Sequence, residues 1–262
     1  MRALTLTCGG PGAERDDTVA VEAPLEVRIG GRAVTVLMRT PGTDAELVMG
    51  FLFGEGVIAD ADDVLSIERP TGASGPDREN VLEVWLAVAR RPVEADRLFF
   101  SNSSCGLCGK RTLDSVEVRA APVSAALTVS RDVLSQLPPR LRASQPAFGR
   151  TGGAHASGLF TAAGELLAVR EDVGRHNALD KLVGWALDQG RVPLAEFVLL
   201  VSGRVSYELV QKAVTAGIPV VAAVGAPSSL AVALAQRFGV TLVGFLRETS
   251  LNVYAHAHRI TE

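Results

Sequence analysis

The run Phe197-Val-Leu-Leu-Val201-Ser202-Gly203-Arg204 is answered one unit later by Ile218-Pro-Val-Val-Ala-Ala-Val224-Gly225-Ala-Pro227-Ser228-Ser229. Each is a short apolar strand that ends in glycine and serine. Together with their surroundings they give the order strand Phe197–Val201, helix Val205–Ala216, strand Ile218–Val224, helix Ser228–Phe238, strand Val240–Leu246. Strands separated by helices of this length predict a layered α/β domain with a largely parallel sheet. Working outward, Gly174–Gln189 reads as an amphipathic helix with Leu179, Leu182, Val183, Ala186 and Leu187 on one face. Before it, His155–Thr161 and Glu165–Val169 read as strands joined at Gly164.

The chain before residue 100 has a different rhythm. Leu25, Val27 and Ile29 alternate with polar neighbours, Gly30-Gly31 supplies a turn, and Val34, Val36 and Met38 alternate on the return. Thr43 and Glu46 have capping-box spacing ahead of a helix carrying Leu47, Val48, Phe51 and Leu52. Residues 70–80 have the composition of a surface loop, and Leu82, Val84, Leu86 and Val88 alternate as a strand. A further helix starts near Ser130 with Val133, Leu134 and Leu137 as its apolar face. Pro138-Pro139 is expected to interrupt it, and Pro146–Gly153 to be irregular. The expected organisation is a smaller strand-rich part over 1–100, a connecting region over 101–150 and the α/β domain over 151–262.

At 262 residues, 47% apolar and 21% charged, the chain is long enough to bury a substantial core. A net charge of −3 and a pI near 5.9 disfavour general nucleic-acid binding, which leaves a basic footprint. Three cysteines make no disulfide framework and point to a reducing, cytoplasmic setting. The apolar window Ile218–Ala235 is broken by Gly225, Pro227, Ser228 and Ser229, so it reads as two buried elements and not a membrane span.

Two of the cysteines sit in Ser101-Asn-Ser-Ser-Cys105-Gly-Leu-Cys108-Gly-Lys110. A Cys-x-x-Cys pair suits half a zinc site, a reversible disulfide or a nucleophilic thiolate that carries sulfur. Its polar flanks are unlike a core strand, and Lys110-Arg111 would favour the thiolate. A structural zinc site wants four ligands and there is one such half. Zinc deaminases need His-x-Glu before Pro-Cys-x-x-Cys, and His155-Ala-Ser157 lacks the glutamate and follows the cysteines. Ser202-Gly203-Arg204 and Gly225–Ser229 each follow a strand and open a helix, where serines either cap the helix or, with Arg204, form a phosphate pocket. There is no Walker or Gly-x-Gly-x-x-Gly turn. Asp172-Val-Gly174-Arg175-His176-Asn177-Ala-Leu-Asp180-Lys181 is the densest polar cluster. On a helix His176 would meet Asp180, and Asn177 would meet Lys181, as a solvated face or as part of a site.

These motifs, with Gly153-Ala-His155-Ala and Gly244-Phe245-Leu246-Arg247 leading to Asn252-Val-Tyr254, run in order over most of the chain. The ordered set resembles the formate dehydrogenase accessory sulfurtransferases, FdhD. The resemblance implies a C-terminal domain like the cytidine deaminase fold without its zinc chemistry, and a homodimer. It implies that Cys105 carries persulfide sulfur from a cysteine desulfurase, with Cys108 as its partner. The acceptor would be the molybdenum cofactor, Mo-bis(molybdopterin guanine dinucleotide), bound as substrate on its way to formate dehydrogenase. Phe245, Leu246, Arg247, Glu248, Thr249 and Ser250 would line the cofactor pocket, with Arg204 and Ser228 offering phosphate contacts. The same residues leave a second reading, a zinc-binding, non-enzymatic assembly factor for that enzyme.

Overall fold

The computed structural model describes residues 1–6, 8, 12–70, 79–87 and 120–262. Cys105 and Cys108, with Lys110, Val88 and the loop residues 71–78, lie outside the described residues.

An exposed two-stranded ribbon opens the chain, β1 (Arg2–Thr5) antiparallel to β2 (Ala13–Asp16). The expected hairpin follows as β3 (Ala23–Ile29) and β4 (Arg32–Arg39), with Gly30 and Gly31 both at positive φ in its turn. Beside them lie β5 (Val64–Glu68) and β6 (Val81–Leu86), in the sheet order β4-β3-β6-β5. The second half is a six-stranded sheet built from β8 (His155–Thr161), β9 (Leu166–Asp172), β10 (Phe197–Val201), β11 (Val220–Ala223), β12 (Thr241–Gly244) and β13 (Asn252–Ala255). Its order is β13-β12-β11-β10-β8-β9. Two short strands, β7 (Val129–Ser130) and β14 (Ile260–Thr261), pair in parallel and fasten the C-terminus.

The expected α/β layering is present, but the sheet is mixed. Only β10, β11 and β12 run parallel; β8, β9 and β13 are antiparallel to their neighbours. Connection length is the reason. The turn at Gly164 and the short return from Gly244 to Asn252 are too brief for a crossover, so those strands reverse.

Helices α1 (Asp44–Gly54), α4 (Arg175–Asp188), α5 (Tyr207–Thr215) and α6 (Ser229–Phe238) share one core with the four-stranded sheet and one face of the six-stranded sheet. Helix α2 (Arg131–Ala143) covers the other face through Leu134, Leu137 and Leu141, and α3 (Pro146–Thr151) follows it. Because both faces are covered, Val198 and Leu200 enter one core while Leu199 and Val201 enter the other. Helix α1 is buried along Leu47–Phe53 and meets α4 backbone to backbone. A Cβ on Gly50 would lie 1.9 Å from the Asp180 carbonyl oxygen, and one on Gly184 would lie 1.8 Å from that of Glu46. No helix among the described residues is long and apolar enough to cross a membrane.

Three local expectations fail. Thr43 sits at φ 52 and makes no side-chain cap, while Glu46 turns away to grip the Arg170 guanidinium with both oxygens at 2.5 and 2.7 Å. Pro138-Pro139 does not interrupt α2. Both prolines avoid the buried face formed by Leu134, Leu137 and Leu141, whose packing outweighs the lost amide bonds. Pro146 opens α3 at its first position, and the Glu171 carboxylate accepts from the amides of Ala147 and Phe148 at 2.8 Å each.

Candidate functional site

The three parallel strands stop side by side, and the turns that leave them are laced together through the main chain. Gly225 N donates to the Gly203 carbonyl at 3.0 Å, Val205 N to Ala226 at 3.1 Å, Ser228 N to Val205 at 2.9 Å, and Phe245 N to Gly225 at 3.0 Å. The approach is close enough that a Cβ on Gly225 would lie 2.8 Å from both Gly203 carbonyl atoms. Residue 225 is therefore a glycine for space. This lacing brings Arg204, Ser228, Phe245 and the segment Arg247–Ser250 onto one exposed rim.

Side chains along the rim differ in what they offer. Arg204, Glu248, Thr249 and Ser250 are exposed. Arg247 Nη1 donates to the carbonyls of Val224 at 2.7 Å and Leu246 at 2.9 Å, and Arg247 N donates to Ser250 at 2.8 Å. Ser228 Oγ accepts from Ala231 N at 3.2 Å, so it does cap α6. Phe245 stands in the left-handed region, φ 51, which turns its ring outward and sends Leu246 into the core beneath α2. Leu246 therefore offers the rim its backbone, not its side chain.

Beside the β10 turn a second group of polar residues gathers. His155, at the start of β8, lies against Gly203, its Nδ1 3.2 Å from where a Cβ would stand. Burial holds the His155 pKa down, and the nearby positive charges of Arg175 and His176 lower it further. His176 does not pair with Asp180 as its spacing predicts. Its Nε2 lies 3.0 Å from Ser206 Oγ and 3.0 Å from Glu208 Oε2, both at the opening of α5. Asp180 instead takes Lys212 of α5 at 2.6 Å. The two first turns face each other, so cross-helix partners lie nearer than the ones four residues along. One ring nitrogen makes both His176 contacts, so these residues are not wired as a nucleophilic serine triad, which needs serine and acid on opposite nitrogens.

The remainder of the 172–181 cluster is a fastening. Asp172 is fully buried and pairs with Lys181 at 2.7 Å. Its carboxylate also accepts from Thr40 N at 3.0 Å, Gly174 N at 2.8 Å and Asn177 Nδ2 at 3.0 Å. Asn177 and Lys181 reach on to the carbonyls of Met38 and Thr40, tying β4 to β9 and α4. Sequence reasoning missed Ser206 and Glu208; the only hint was a serine at the N-cap position of α5.

Strand ends gathered on one arginine-bearing rim, with helices opening beside them, define an α/β protein of mixed-sheet type. The sequence model of the FdhD/NarQ family matches residues 20–261, and the chain belongs to that family. It is 55% identical to "Sulfur carrier protein FdhD" of Mycobacterium tuberculosis over 94% of this chain and 93% of that one. The protein of the same name from Nocardia farcinica is 55% identical over 99% and 93%, and that from Sulfurisphaera tokodaii 45% identical over 95% and 93%. Among solved structures, a Desulfotalea psychrophila protein described as a formate dehydrogenase accessory protein superposes with a TM-score of 0.77. It shares 28% identity, with 100% of this chain and 98% of that chain covered.

Proposed function

We propose that this protein is a sulfur carrier that receives persulfide sulfur from a cysteine desulfurase on Cys105. It hands that sulfur to a molybdenum cofactor, bis(molybdopterin guanine dinucleotide), destined for formate dehydrogenase. The observation that carries the reading is the laced rim, which sets Arg204, Arg247 and the opening of α6 along one edge, as the diphosphate groups of a dinucleotide require. Relatives named as sulfur carriers, and the Cys105-Gly-Leu-Cys108 spacing, support the transfer chemistry.

In that chemistry the Cys105 thiolate attacks the outer sulfur of the desulfurase persulfide. The old S–S bond breaks, the desulfurase cysteine leaves as thiolate, and Cys105 holds the new persulfide. Mass spectrometry after incubation with a desulfurase and cysteine tests this. A gain of about 32 Da should appear on the peptide containing Cys105 and be lost in Cys105→Ala. Undiminished labelling of Cys105→Ala would move the carrier role to Cys108, and no labelling of the parent would sink the sulfur reading.

A further inference from the structure

Strand β9 is an edge of the six-stranded sheet, and β8 fixes which of its backbone groups face outward. Ser202 N donates to the Ala156 carbonyl at 2.9 Å, and Ala156 N donates to Ser202 Oγ at 2.9 Å. Ala156 thus turns its backbone groups to the β10 side. These groups alternate along a strand, so Ser157 turns to β9, where its partner is Arg170. On β9 Arg170 therefore faces the sheet, while Val169 and Glu171 face the open edge. The next outward amide, Val173 N, is taken by Thr40 Oγ1 at 3.1 Å. Both outward carbonyls have side-chain donors, Val169 O from Arg170 Nη1 at 2.9 Å and Glu171 O from Lys181 Nζ at 3.5 Å. Among the described residues, nothing accepts from the amides of Val169 and Glu171.

Sheet edges are ordinarily guarded by charges that project from them. Here Arg170 is held by Glu46 at 2.5 and 2.7 Å, and the Glu171 carboxylate is folded back onto the amides of Ala147 and Phe148. A cleft of about 280 Å³ opens over the unguarded stretch, lined also by residues 41–43 and by Ser144 and Pro146 where α2 meets α3.

We propose that this cleft docks an extended, uncharged segment of the enzyme that the protein serves, which joins the sheet as a strand beside β9. Two amides that point the same way, two residues apart, call for carbonyls at that spacing, and an extended main chain supplies them. The cleft has room for a few residues of one chain and not for the folded sheet edge of a second copy. Arg170, Glu171 and Lys181 already have partners, so a charged guest would lose water there and gain no counter-ion. Both β9 and β10 are antiparallel to β8, so β9 points toward the same end of the sheet as the rim. A docked segment leads to that end along β9 and leaves the turns after β10, β11 and β12 uncovered. The identity of the guest rests on the formate dehydrogenase reading above.

Overlapping peptides of about ten residues from the cognate formate dehydrogenase are the probe. The intact protein should bind one contiguous uncharged stretch, and deuterium exchange should slow at about two amides within 166–173. Val169→Pro removes one outward N–H at a position an edge strand tolerates, and Ser144→Trp fills the cleft from its wall. Each should weaken peptide binding about tenfold or more. Both variants should still take up sulfur on Cys105 as the parent does, which separates docking from carrier chemistry. A parent that loads sulfur but binds no peptide, or parental affinity in both variants, overturns the docking site alone. Protection of 166–173 that grows with protein concentration in the absence of peptide assigns the edge to a second copy and overturns it too. A parent that binds the peptide at this edge but takes up no sulfur supports the docking site and overturns the carrier reading.

Discussion

Arg247 serves the rim in two ways. One guanidinium nitrogen pins the Val224 and Leu246 carbonyls, and the group as a whole brings a positive charge to the rim. If the rim holds diphosphates, losing one charge-assisted contact should cost about 1.5 to 3 kcal/mol, roughly ten- to a hundred-fold in affinity. Calorimetry with GDP as a fragment of the cofactor checks this on the parent, Arg204→Ala and Arg247→Ala, and affinity should fall as salt rises. Parental binding by both variants would place the phosphates elsewhere; an effect of Arg247→Ala alone would confine the pocket to the segment 245–250. At this scale the sequence was readable for identity and poorly readable for partnership. Arg204, Ser228 and Arg247 stand out in the sequence because each follows an apolar strand. The true neighbour of His176 lies 30 residues on, at Ser206, and no spacing rule within a helix reaches it.

At the level of elements, the crossing of α1 and α4 is where small changes should matter most. Gly50→Ala and Gly184→Ala each drive a methyl group into the other helix's backbone, and backbone cannot move aside as a side-chain tip can. Each should destabilise by about 3 kcal/mol or more, read as a lower urea midpoint, and the pair should not add because both act at one contact. A Gly184→Ala protein with the parental midpoint would mean that the helices separate at little cost. The strand–helix alternation from Phe197 to Leu246 was plain in the sequence because each strand is an unbroken apolar run. Strand direction was not, since it depends on connection length and on which edge the chain returns to. Helix α2 was misjudged at Pro138 because propensity is local, while Leu134, Leu137 and Leu141 hold it from the sheet side. The β1–β2 ribbon went unread, having no buried face to impose a pattern.

For the molecule as a whole, acid should act through the ion pairs that clamp its first half. Asp44 is buried between Arg39 at 3.1 Å and Arg69 at 2.8 Å. Burial raises its pKa, but the hydrogen bonds and charges of the two arginines together hold it below the ordinary carboxylate value. A folded pKa below the unfolded one means that the contribution is present above about pH 4 and is lost as pH falls through the folded value. Asp44→Asn leaves Arg39 buried beside a neutral group and should destabilise by about 3 to 5 kcal/mol at pH 7. The difference from the parent should shrink as pH falls below about 4. A constant difference down to pH 2, measured by thermal melts, would show that the Asp44 charge plays no part.

The same glycine contact has a consequence for synthesis on the ribosome. Gly50 and Gly184 are 134 positions apart, so α1 leaves the exit tunnel long before the helix that must cover it. At about 5 to 20 residues per second, that interval is roughly 7 to 27 s. Throughout it the Leu47–Phe53 run, which is buried along its length in the finished fold, lacks the α4 face that covers it. A nascent chain stalled before α4 should therefore expose that run to chaperones, and slower translation between the two helices should lengthen the exposure.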